Sequence, residues 1–318
     1  MGYRPNKMLL ACFTLAVSTQ VVADLTIERK CFFPEGITST QNGDVYVGSM
    51  QHGSIVKFSK NQSKSTPFIK DNANNMLATL GLYADEKRNR LLACSSNPAI
   101  AHNQVGDNRF AGSEVGGIRI YDLQNGKALG AVDFPGGGFC NDLTVDEKGN
   151  IYATDTFHGR VIKYDGKNAT VWAMGGILAD RNWSLNGLDF SEEQQAIFTV
   201  HQQTGQLFRI DLKDDGSAAV PIEIALSRNL VGPDGLKVIG KNKIGVLEAE
   251  KGSYSLIELN ATKGTVSEVS KGIVSGATFT IVGEKVLIVE GQGSEFWSPK
   301  GSCNNVKSPF NIKEISQI

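Results

Sequence analysis

Short runs of alternating apolar and polar residues, separated by glycine-containing turns, recur along nearly the whole chain. Asp44-Val45-Tyr46-Val47-Gly48-Ser49 is followed by His52-Gly53 and then by Ser54-Ile55-Val56-Lys57-Phe58, which predicts two antiparallel strands joined by a tight turn. The same order returns at residues 150–154 with 159–164 and at 196–200 with 205–210. Looser copies lie at 90–93 with 117–120 and at 244–247 with 255–259. Fourth strands such as residues 169–173 complete the units.

A further strand precedes each hairpin. It begins at Gly36-Ile37, Gly81-Leu82, Asp142-Leu143, Gly187-Leu188, Gly235-Leu236 and Gly276-Ala277, and the residues just before these are 35, 80, 141, 186, 234 and 275. Their separations of 45, 61, 45, 48 and 41 residues define six copies of one unit. Four strands every 45 to 50 residues is the spacing of a propeller blade, so the chain is expected to be all-β, a single six-bladed β-propeller over residues 24–318. A sandwich would account for the strands but not for six similar units. The last copy is incomplete, because residues 285–289 are followed by a long polar stretch before 310–315. A strand near Leu25-Thr26-Ile27 is expected to close the ring and protect its edge. Between Ser95 and Gly116 the second copy carries about 20 extra residues, His102 among them, long enough for a lid.

Composition adds turns, a compartment and an exclusion. Of 318 residues 35 are glycine, an excess over the usual ~7% that fits many tight turns at positive φ. The 32 basic and 33 acidic residues include no basic block to neutralise a phosphate backbone, which argues against nucleic acid as a partner. Arg4 and Lys7 precede an apolar run over residues 8–17, and Val21-Val22-Ala23 supplies small residues at a cleavage point. Residues 1–23 therefore read as a secretory signal peptide, and the mature chain as a secreted or periplasmic monomer. Leu9-Leu10-Ala11-Cys12 resembles a lipobox, but its cysteine comes before the apolar run has finished. No later stretch reaches the 18 or so apolar residues of a membrane span. Cys31, Cys94, Cys140 and Cys303 remain after processing and allow three complete pairings. A Cys31–Cys303 bridge would tie the ends together, whereas Cys94 and Cys140, in apolar surroundings, read as buried thiols. Asn61, Asn168, Asn182 and Asn260 stand in glycosylation sequons.

The residues before the first strands share one face at the mouth of the central channel. They are Glu35, Leu80, Asn141, Asn186, Asp234 and Ser275. Pro34-Glu35-Gly36 or Pro233-Asp234-Gly235, taken singly, is equally a turn. Their shared phase is what brings Glu35, Asn141, Asn186 and Asp234 to one small space as metal ligands. Two carboxylates offset a divalent charge and two amide oxygens add neutral donors, a set suited to calcium. Magnesium, manganese and zinc are alternatives, zinc being less natural without histidine or thiolate.

Pro34-Glu35-Gly36-Ile37, Asn141-Asp142, Asn186-Gly187 and Pro233-Asp234-Gly235-Leu236 resemble the senescence marker protein, gluconolactonase and paraoxonase group of six-bladed propellers over nearly all of the mature chain. The resemblance implies a calcium or other divalent ion at the channel mouth, held by Glu35, Asn141, Asn186 and Asp234, and hydrolysis of a lactone or other small ester. By the same match Asp234 corresponds to the acid/base aspartate of lactonases, and Asp142 to an aspartate that helps hold a second structural calcium in paraoxonase-like members. Gly36 replaces a further acidic ligand of that second ion, and the histidine pair of paraoxonases has no counterpart here.

A metal-bound water would need a base. Asp234 is the first candidate, followed by Glu35 and by His52, His158 and His201, which lie near the turns between second and third strands on the pocket side. Phe139, Phe157, Trp183 and Tyr254 read as pocket walls or as packing between blades. The absence of a Gly-x-Ser-x-Gly elbow and of a glycine-rich strand-to-helix unit argues against a serine hydrolase and a nucleotide cofactor. The main rival readings are a non-enzymatic propeller that binds a protein or small ligand around a structural cation, and a strictosidine-synthase-like protein.

Overall fold

The computed structural model describes residues 1, 25–97, 115–178, 183–297, 303 and 305–316. The signal peptide read at residues 1–23, Asn182, His102 and most of the 95–116 insertion lie outside the described residues. Pro34–Ser39, Val45–Ser49, Ser54–Phe58 and Thr66–Ile69 form one antiparallel meander. A second comprises Ala78–Asp85, Arg90–Ser96, Gly116–Asp122 and Ala128–Asp133, and a third Cys140–Val145, Ile151–Asp155, Arg160–Tyr164 and Ala169–Met174. The fourth runs through Leu185–Ser191, Ala196–His201, Leu207–Asp211 and Ile222–Leu226, and the fifth through Pro233–Gly240, Lys243–Glu248, Ser253–Asn260 and Lys263–Lys271. These two join edge to edge into one eight-stranded sheet, because Ala225 and Leu226 pair in parallel with Lys263 and Gly264. The result is a propeller-like, almost entirely β fold.

The last sheet contains Gly276–Val282, Lys285–Glu290, Phe310–Ser316 and, on its outer edge, the N-terminal strand Leu25–Ile27. Leu25 pairs with Ile312 and Ile27 with Phe310, so the two ends of the chain share one sheet, as expected for closure. The first strands touch in order, and Gly276–Val282 packs back against Pro34–Ser39. Cys31 and Cys303 form a disulfide across the same junction. Cys94 and Cys140 also form a disulfide, which corrects their reading as buried thiols. Both are fully buried, and they face each other because the second strand of one meander packs on the first strand of the next. Two disulfides are consistent with an extracytoplasmic compartment. Among the described residues no helix is long and apolar enough to cross a membrane.

Burial falls from the centre outwards. Val45–Ser49, Cys140–Val145 and Ala196–His201 are buried along their whole length, because meanders stack against them on both faces. Ala128–Asp133 on the outside is mostly exposed. Ile37, Leu82, Leu143, Leu188, Leu236 and Phe279, one from each first strand, are all at most 1% exposed. They form the apolar layer on which the site rests.

Candidate functional site

Each first strand carries the same irregularity. Pairing with the second strand steps from Pro34–Ser49 to Ile37–Val47, from Thr79–Ser95 to Leu82–Ala93, and from Cys140–Asp155 to Leu143–Ala153. It then steps from Leu185–His201 to Leu188–Thr199, from Pro233–Glu248 to Leu236–Val246, and from Gly276–Glu290 to Phe279–Ile288. Every step passes three residues on the first strand against two on the second, a bulge that re-aims the side chain within it. The first bulged residues are Glu35, Leu80, Asn141, Asn186, Asp234 and Ala277. The sixth position is thus Ala277 and not Ser275. Gly276 aligns with Pro34 and Pro233, so counting from glycine shifted that unit by two residues. Ser275 instead sits before the strand, at φ 52°, and its Oγ accepts a bond from the Gly293 N–H at 2.8 Å.

The second bulged residues are Gly36, Gly81, Asp142, Gly187, Gly235 and Thr278. The four glycines are not turn residues at positive φ. A Cβ on Gly36 would overlap the Leu80 carbonyl oxygen, and one on Gly187 would overlap that of Asp234. Glycine here lets adjacent bulges approach, which draws their first residues toward one point. Asp142 takes this place in the third unit and accepts the Leu143 N–H at 2.9 Å and the Leu188 N–H at 3.4 Å. It links two meanders.

Glu35, Asn141, Asn186 and Asp234 line both a cavity of roughly 510 Å³ and a void of about 10 Å³ beneath it. The void is about the size of one water or one bare ion. Glu35, Asn141 and Asn186 are 9%, 4% and 3% exposed. Oε2 of Glu35 is buried without a hydrogen-bond partner, a group that burial penalises unless an ion or proton neutralises it. Burial raises the Glu35 carboxyl well above its usual range, and the charges of Asp234 and Asp142 raise it further. Asp234 is pushed up to about 8 by burial and by Asp142, against a lowering contact from Asn186. Carboxyls in such surroundings need a cation to stay ionised together. The donor set fits a hard divalent ion. Among the described residues no cluster of three or more His, Cys, Asp or Glu forms a metal site; this set has two carboxylates and two amides.

The histidines lie elsewhere. His52 Nε2 is 3.2 Å from the Lys30 carbonyl oxygen, and His158 Nδ1 is 3.0 Å from Oδ2 of the buried Asp155. His201 is 2% exposed, with Nδ1 accepting the Thr204 N–H at 3.3 Å. None of the three lines the cavity, although the turns that carry them reach it through Met50, Gln202 and Gln203. The wall is formed by Phe139, Trp183 and Trp297, with ring centroids 6.0 Å apart for Phe139–Trp183 and 5.6 Å for Trp183–Trp297. Phe157 stacks behind Trp183, and Tyr254 packs on Phe279 away from the cavity. Trp297 was not read as a wall from the sequence, because it sits in the helical turn Gly293–Trp297, outside the repeating pattern.

No family model matches the sequence, and no curated protein resembles it. Solved structures share its shape. The major Malassezia sympodialis allergen Mala s 1 superposes with a TM-score of 0.70 at 13% identity, over 92% of this chain and 95% of that one. A gluconolactonase from Xanthomonas campestris gives 0.60 at 15% identity, over 83% and 84%. The PQQ-bound aldose sugar dehydrogenase from Streptomyces coelicolor gives 0.60 at 14%, over 93% and 97%. The likeness is one of fold. These proteins differ in what they do, so function has to be argued from the site.

Proposed function

We propose that the chain is a secreted or periplasmic six-bladed propeller, in one domain over residues 24–318, that hydrolyses a lactone or related small ester with one divalent cation, calcium first. The observation that carries this reading is the convergence of Glu35, Asn141, Asn186 and Asp234 at one bulge position, with Glu35 Oε2 buried and unpartnered. The fold shared with a gluconolactonase supports it.

Glu35 and Asp234 would hold the cation by charge, and Asn141 and Asn186 by their carbonyl oxygens. A cation so held polarises a carbonyl and lowers the pKa of a bound water. Asp234, also in the cavity lining, is placed to accept a proton at its carboxylate. Phe139, Trp183 and Trp297 shield one side of the cavity from water, while Gln202, Gln203 and Glu250 offer polar contacts on its rim. The volume suits a small molecule.

The test is to strip the protein with chelator, assay a panel of sugar, aliphatic and aromatic lactones and esters, and restore calcium, magnesium, manganese or zinc in turn. Hydrolysis that returns with one ion supports the reading. A bound ion without turnover on any substrate would favour a binding propeller with a structural cation, and no bound ion would remove the site itself.

A further inference from the structure

The residue directly after the second-strand partner that precedes each bulge lies diagonally across from the first bulged residue. These diagonal neighbours are Met50, Ser96, Thr156, Gln202, Ala249 and Gly291, for Glu35, Leu80, Asn141, Asn186, Asp234 and Ala277 in turn. Their chemistry follows that of the site residue. The diagonal neighbours of the two carboxylates are Met50 and Ala249, whose side chains carry no hydrogen-bonding N–H or O–H group. The two amides face Thr156 and Gln202, and each bonds to its partner: Asn141 Nδ2 donates to Thr156 Oγ1 at 3.0 Å, and Asn186 Nδ2 to Gln202 Oε1 at 3.0 Å. Ser96, which pairs with Ala78 and lies diagonal to Leu80, donates to the Cys140 carbonyl oxygen.

A carboxylate presents oxygen whichever way it rotates, whereas an amide presents oxygen on one side and an NH₂ group on the other. An NH₂ group aimed at a cation repels it. Thr156 resolves this for Asn141. Its single hydroxyl proton goes to the Leu185 carbonyl oxygen at 2.7 Å, so Oγ1 can only accept from Asn141, and the nitrogen end of the amide must face it. The carbonyl oxygen is then left for the site. Thr156 is fully buried, so water does not replace it.

We propose that Thr156 is a positioning residue that sets the orientation of the Asn141 amide. This rests on the cation site proposed above. Calorimetric titration of chelated protein with calcium tests it without reference to activity. Thr156→Val is expected to weaken calcium binding by about 10- to 100-fold, the usual range for partners of metal ligands, and Thr156→Ser to retain binding within a few-fold. In an Asn141→Asp background, where both ends of the side chain are oxygen, Thr156→Val is expected to weaken binding no further. Thermal melts of each chelated variant confirm that it is folded. Equal losses from Thr156→Val in both backgrounds would mean that the threonine only supports the strand, and no loss in either would also overturn the proposal. If the parent chain binds calcium and the variants do not differ, this inference alone fails; if the parent binds no divalent ion, the proposed function fails and takes the inference with it.

Discussion

Arg228 grips the carboxylate of Glu248 through two parallel bonds of 2.7 Å, although the Glu248 side chain is fully buried. Ser255 Oγ and the Val231 N–H complete its shell at 2.5 and 2.9 Å. Val231 lies three residues before Asp234, so the pair anchors the segment that leads into Asp234. Burial alone would raise the Glu248 carboxyl, but its bonds to Arg228, Ser255 and Val231 outweigh burial and hold it below its usual range. A carboxyl depressed in the folded state contributes stability that is complete above its unfolded pKa, about 4.3, and is lost as pH falls through the lower folded value. Glu248→Gln is therefore expected to destabilise the protein by about 1 to 3 kcal/mol near pH 7, because the partly exposed Arg228 loses its charged acceptor. The gap between the two melting curves should narrow below about pH 4. A gap unchanged from pH 7 to pH 3 would show that the bonds do not depend on the charge.

Burial raises the proton affinity of both Glu35 and Asp234, with Asp234 adding to that of Glu35 and Asp142 to that of Asp234, so two charged carboxylates here oppose stability unless a cation offsets them. Glu35→Gln is expected to raise the melting temperature of chelated protein, since it removes a buried carboxyl whose Oε2 lacks a partner. The same change should abolish most of the stabilisation by calcium, which for the parent chain is about 2.7 kcal/mol at a hundredfold excess over Kd. Parallel melts with chelator and with calcium measure both effects. A variant less stable than the parent under chelation would show that Glu35 supports the fold rather than an ion.

The Cys31–Cys303 disulfide spans 272 residues and Cys94–Cys140 spans 46. In the chain-entropy account the longer loop restricts the unfolded chain more, by about 1.5 kcal/mol. Replacing Cys31 and Cys303 together by alanine should lower stability more than replacing Cys94 and Cys140, by that order in denaturant titration. The larger loss should also expose the strand Leu25–Ile27 to proteolysis, since it lies on the outer edge of its sheet.

The inner strands were legible because stacking buries both their faces. Runs such as Ile151–Asp155 and Ala196–His201 leave little choice but strand, and all are buried. Of the outer strands, residues 169–173 were read and match Ala169–Met174, but Thr66–Ile69 and Ile222–Leu226 were not, because they are largely exposed and carry few constraints on side-chain type. Four of the cavity-lining positions were visible from their phase with glycine. Thr156 was missed because its bond to Asn141 appears only in the folded sheet, and threonine after a strand is unremarkable by itself. His52, His158 and His201 were drawn toward the site by the direction of their strands, yet the turns hold those side chains against Lys30, Asp155 and the Thr204 backbone.

The shift from Ser275 to Ala277 gives a test of the register itself. Ala277 occupies the position that holds Glu35 and Asp234 in other units and lines the same cavity, but its side chain carries no oxygen. Ala277→Asp would add a third carboxylate to the set, and ligand charge is one of the main controls on calcium affinity. It is expected to tighten calcium binding by roughly tenfold and, by the same repulsion that raises Glu35 and Asp234, to lower the stability of chelated protein. Ser275→Asp, at the rim and outside the bulge, should change affinity far less. Calcium titrations and chelated melts of the two variants read the difference directly. Tighter binding from Ser275→Asp than from Ala277→Asp would place the sixth position two residues earlier and return the site to the phase expected from the glycines.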